Sequence, residues 1–143
     1  MIDKITYNNQ LFALIISHKF NEPGVHFFTE DNLSQQLAFM KHPTGKTIHP
    51  HIHKLIHRKV HGTLEVLFIK KGKLRVDFFN KKQKYLESRI LEGGDVIMLI
   101  QGGHGFEMLE EVEMFEVKQG PYIEASDKTR FKPNLPNNLN FGT

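Results

Sequence analysis

The chain has no cysteine and no tryptophan, and only three tyrosines and six prolines in 143 residues. Without thiols no disulfide can form, and a metal cannot be held through sulfur, so imidazole and carboxylate remain as ligands. No window approaches the ~20 continuous apolar residues of a membrane span. The early run "LFALII" lacks a basic flank and a small-residue cleavage site, so no signal peptide is expected there. Cytoplasmic localisation is the default that follows. Charge of one sign is also scarce: nineteen Lys and Arg against sixteen Asp and Glu give a net +3. The local runs "KKGK" and "NKKQK" sit beside Gly and Asn and read as solvated turns. No basic face interleaved with aromatics occurs, which speaks against a nucleic-acid partner.

Histidine is abundant. Five of the nine fall within twenty residues, in "TIHPHIHKLIHRKVHGTLEV": His49, His51, His53, His57 and His61, followed by Glu65. In an extended backbone His49, His51 and His53 share one face, because strand side chains alternate with period two. Two imidazoles on one strand face can converge on one ion, and a carboxylate and a further imidazole from neighbouring strands would complete the set. A lone histidine is more often a polar core residue satisfied by hydrogen bonds. His18, His26 and His42 show no ligand spacing and keep that reading.

From about residue 63 onward the pattern is that of strands. "TLEVLFIKKG" and "KLRVDFFN" flank a Gly turn as a hairpin, and Leu74, Val76 and Phe78 alternate with Lys73, Arg75 and Asp77 to leave one face wet. "YLESRIL", "VIMLI", "HGFEML" and "EMFEVKQG" continue it, separated by "EGGD" and "QGG". Earlier, "LFALIIS", "GVHFF" and "QQLAFMKH" read as strands, with one helical turn in "TEDNLSQQ" capped by Thr29 or Asp31. Such spacing indicates an all-β sandwich or barrel. Residues 131–143, "FKPNLPNNLNFGT", form an irregular tail, mobile or draped over a neighbouring subunit.

The chain resembles the cupin superfamily through two motifs. "GKTIHPHIH" has five residues between Gly45 and His51-x-His53, and "EVLFIKKG" has six between Glu65 and Gly72. "GDVIMLIQGGHGFEML" supplies Gly94-Asp95 opening a strand and His104 after a glycine turn. The end "FEVKQGPYIEASDKTRF" is similar to small cupins of bacterial surface-polysaccharide clusters. The spacing between His53 and Glu65 is eleven residues, longer than the usual motif, so "KLIHRKVHGT" is an inserted mouth loop; Ile100 stands where proline is usual, and the turn before His104 is one residue short.

The resemblance implies one domain over residues 1–130, with a motif core at 42–120. Its fold would be a double-stranded β-helix (jelly-roll) barrel with N-terminal strands. It implies a divalent metal (iron, manganese, nickel or zinc) on His51, His53, Glu65 and His104. His49 is the reserve ligand in a shifted register. His57, Arg58 and His61 would face substrate at the mouth as candidate catalytic residues, against the plainer reading of a solvated loop. Phe106 and Met108 would line the barrel, and Glu107 would point away from it. The expected activity is that of a metalloenzyme (isomerase, oxygenase or lyase) acting on a small polar substrate, a carbohydrate or nucleotide-sugar. A metal-free sugar-nucleotide epimerase or isomerase, or a non-catalytic binding barrel, are the alternatives. Partners expected are the small-molecule substrate and a second copy in a homodimer, with neither nucleic acid nor membrane.

Overall fold

The computed structural model describes residues 1–142. Its strands, in chain order, are β1 (Ile2–Tyr7), β2 (Gln10–Ile16), β3 (Gly24–Phe27), β4 (Ala38–Lys41), β5 (Glu65–Lys71), β6 (Lys73–Phe79), β7 (Tyr85–Glu92), β8 (Val96–Leu99), β9 (Gly103–Met108) and β10 (Glu113–Lys118). One short helical turn, α1 (Glu124–Asp127), follows. The chain divides into two compact units, Met1–Phe20 with Thr63–Thr143, and Asn21–Gly62. Among the described residues no helix is long and apolar enough to cross a membrane.

In the larger unit, β1-β2-β8-β5-β10 form a five-stranded sheet and β7-β6-β9 a three-stranded one, every pairing antiparallel. The register fixes which residues look inward. Ile5, Ala13, Leu99, Glu65 and Lys118 stand opposite one another in a single row across the five strands. Ile15, Ile97, Leu67 and Glu116 form the next row. On the smaller sheet the inward rows are Glu87–Phe78–His104, Arg89–Val76–Phe106 and Leu91–Leu74–Met108.

The apolar members of these rows make one core, in which Ile5, Ala13, Ile69, Leu74, Val76 and Ile97 are fully shielded. Burying a Leu, Ile, Val or Phe side chain contributes roughly 1.5–3 kcal/mol each, which is what holds two sheets face to face without disulfides. The all-β expectation is therefore met as an antiparallel sandwich. Among the described residues the sheets end in open edges at β1, β10, β7 and β9 and do not close into a barrel.

Two local expectations differ. The wet face expected for Lys73, Arg75 and Asp77 is covered at Asp77, which is 5% exposed. Its carboxylate accepts from Ser88 Oγ at 2.6 Å and from Arg75 Nε at 2.8 Å. The tail packs on its own chain there: Asn140 O accepts the Ser88 N–H at 2.7 Å, and Phe131 stacks edge-on against Phe79 with ring centroids 5.2 Å apart.

The smaller unit pairs β3 with β4 antiparallel. The helical turn expected in "TEDNLSQQ" is replaced by a loop. The Thr29 hydroxyl donates to Gln36 Oε1 at 2.7 Å and accepts the Leu37 N–H at 3.2 Å, so it ties the loop ends instead of capping a helix. Residues 42–62 carry no strand or helix, and all are exposed.

Candidate functional site

Glu65 is the first residue of β5 and His104 the second of β9. One belongs to the larger sheet and the other to the smaller, and both point into the sandwich. Their side chains meet with His104 Nε2 3.2 Å from Glu65 Oε2. The second carboxylate oxygen, Oε1, takes the Lys118 ammonium at 3.0 Å, and Lys118 also reaches Glu116 at 3.3 Å. The Tyr122 ring lies 5.9 Å from the Lys118 nitrogen, within cation–π range. Phe106 stands beside the imidazole with centroids 5.4 Å apart.

The Glu65 side chain is 12% exposed, so its charge needs partners. The hydrogen bond from His104 lowers its pKa most; burial pushes the other way, and Lys118 adds to the lowering. The net result is a fall from 4.5 to about 2. Lys118 is correspondingly held well above the usual lysine range by Glu65. The pair is fixed in the charged form across the neutral range.

Glu65 and His104, two of the four ligands implied by the resemblance, are in contact with each other. His51 and His53 lie in the strand-free stretch, yet their rings are neighbours, edge to face with centroids 5.1 Å apart. His51 Nδ1 is 3.1 Å from the His49 carbonyl, which gives His49 a backbone role toward His51. His57, Arg58 and His61 are exposed in the same stretch. Among the described residues no three His, Asp or Glu side chains converge as a metal-holding group.

Phe106 packs against the core as expected, whereas Met108 is 49% exposed at the end of its strand. Glu107 points to the opposite face and binds Arg75 at 2.7 Å.

Lys118 and Glu116 were not anticipated. Their signal was present: alternation in "EMFEVK" places Met114, Glu116 and Lys118 on one face, but which face looks inward depends on pairing with β5. His18 likewise gains a partner that spacing did not reveal. Asp95 Oδ1 accepts the His18 backbone N–H at 2.8 Å and lies 2.9 Å from its Nδ1, and Oδ2 accepts the Glu92 N–H at 2.9 Å. These residues border a cleft of about 260 Å³ with Asp3, Ile15 and Arg89. Asp95 follows Gly94 in the second motif, and its three bonds show it clamping the β7–β8 turn to the end of β2.

Imidazole and carboxylate are donor types that divalent ions accept, and two such donors meet here. Two ligands each ~2.1 Å from a common ion in tetrahedral or octahedral geometry lie roughly 3.0–3.4 Å apart, and Glu65 Oε2 and His104 Nε2 are 3.2 Å apart. With Lys118 on Oε1, the carboxylate presents one oxygen toward the imidazole. No family model matches the chain, and no curated protein or solved structure matches it either.

Proposed function

We propose that this chain is a cupin-type metal-binding protein. On this reading it is a metalloenzyme acting on a small polar substrate, with a carbohydrate or nucleotide-sugar as the class favoured by the likeness of its C-terminal motif. The observation that carries the reading is the meeting of Glu65 and His104, far apart in the chain, at ligand-pair distance inside a β-sandwich. The motif resemblance assigns the other two ligands to His51 and His53, whose rings neighbour each other. A divalent ion held there would supply a Lewis acid able to polarise a carbonyl or hydroxyl oxygen. The protein's own contribution is to fix Glu65 through Lys118, to wall the imidazole with Phe106, and to offer His57, Arg58 and His61 toward an anionic or hydroxylic substrate.

Elemental analysis of tag-free protein tests it. About one metal per chain is expected, lost in His51→Ala and in His104→Ala and kept in His57→Ala. Equal loss in His57→Ala would overturn the ligand assignment.

A second reading rests on the same contact. Glu65 can orient His104 as the base of a metal-free sugar-nucleotide epimerase or isomerase, with Lys118 supplying the positive charge beside the carboxylate. Protein that stays metal-free after reconstitution, yet loses activity on a nucleotide-sugar panel in His104→Ala, would select it.

A further inference from the structure

Between Asp31 and Glu65 the chain carries no acidic residue. Five of the nineteen Lys and Arg lie there and none of the sixteen Asp and Glu, so the rest of the chain holds fourteen basic and sixteen acidic residues. The whole positive excess is therefore local, with six of the nine histidines added to it. Inside this stretch residues 54–61 join charge to exposed aliphatic surface. Leu55 is 94% exposed, Ile56 57% and Val60 42%, flanked by Lys54, Arg58 and Lys59.

Large aliphatic side chains held in water are unusual when adjacent. Two classes of polyanion fit the charge, and the side chains choose between them. Single-stranded nucleic acid would be gripped by stacking on large aromatics, but no Phe, Tyr or Trp occurs between Phe39 and Phe68. Cations beside exposed Leu and Ile match the boundary between anionic headgroups and acyl chains, where the aliphatics bury and the ammonium and guanidinium groups stay at headgroup level.

We infer that residues 54–61 form a peripheral docking loop for an anionic membrane surface, with Leu55 and Ile56 as the inserted pair and Lys54, Arg58 and Lys59 as the headgroup contacts. The lack of a long apolar window, which led to no membrane partner being expected, argues against a helical span and not against a surface contact of this kind. The loop contains none of the four proposed metal ligands but includes His57, Arg58 and His61, so the inference gives the residues assigned above to substrate a membrane-facing role and is tested apart from metal content.

Co-sedimentation of the full chain with vesicles tests it, using phosphatidylcholine alone and phosphatidylcholine with 30% phosphatidylglycerol at about 0.1 M salt. Binding is expected to the anionic vesicles only and to fall steeply at about 0.5 M salt. In a Leu55→Ser, Ile56→Ser variant the partition coefficient should drop at least about tenfold, with the far-ultraviolet spectrum and metal content unchanged. No sedimentation with anionic vesicles would overturn it. So would sedimentation unaltered in the serine variant, or displacement by millimolar inorganic phosphate, which would show a phosphate pocket instead of a surface contact. Tighter binding to a homopolymeric RNA than to the vesicles would also overturn it.

Discussion

The Lys118 ammonium stands 3.0 Å from one oxygen of Glu65, while His104 stands 3.2 Å from the other. A carboxylate shared in this way is turned so that only Oε2 is available to an ion. If His104 and Glu65 are ligands, Lys118 acts one step behind them as a positioning residue. Lys118→Met should then lower metal affinity by roughly 10–100-fold, read by competition with a chelating dye. Tighter binding in the variant would show that the ammonium occupies the place of the ion.

Acid should find the same pair. The folded-state pKa of Glu65 is depressed from 4.5 to about 2, so between those values the unfolded chain binds a proton that the native one does not. The stabilisation is complete above about pH 4.5 and drains away as pH falls toward about 2, on the order of 3 kcal/mol at most. In urea titrations from pH 6 to pH 2, Glu65→Gln should start less stable and lose less over that window. A variant whose stability falls in parallel with the parent would refute the assignment.

Gly102 sits at φ +79°, in the turn that delivers His104. A Cβ there would lie 2.4 Å from the Phe12 ring and 2.6 Å from the Phe79 carbonyl. Both a left-handed backbone and a backbone clash oppose any side chain. Gly102→Ala should cost more than about 2 kcal/mol and displace His104, visible as a lower Tm together with reduced metal content. Parent-like values for both would show that the turn tolerates a side chain.

The tail is held to its own sheet at Phe131 and Asn140. Phe131→Ala should lower stability by roughly 1–3 kcal/mol, since a partly buried ring is lost from beside Phe79 and Gly103. Amide exchange at Ser88, whose N–H is donated to Asn140, should speed up in the same variant. Unchanged exchange would mean the tail contributes nothing to the sheet.

Much of the larger unit was legible because each strand announces itself locally. β6 alternates without a break, and β5 and β6 are separated by a glycine turn, so pattern alone placed them. Glu65 and His104 were legible as a pair only through motif spacing. Their contact depends on a register in which Glu65 faces Leu99 and His104 faces Phe78. Asp77 misled for a related reason: alternation puts it on the outer face, where Arg75 and Ser88 nonetheless enclose its carboxylate. Thr29 misled because a cap and a loop tie use the same hydroxyl.

The sequence by itself determined the all-β class, the positions of the turns, the lack of any thiolate ligand and the concentration of positive charge before Glu65. Those properties are local or compositional, and they need no knowledge of which strands are neighbours. Only the tertiary structure decided that Lys118 shares Glu65 with His104, that Asp95 clamps His18 and that the tail lies on β7. Each of these joins residues distant in sequence, and strand pairing, which one residue of slip would invert, decides which side chains meet.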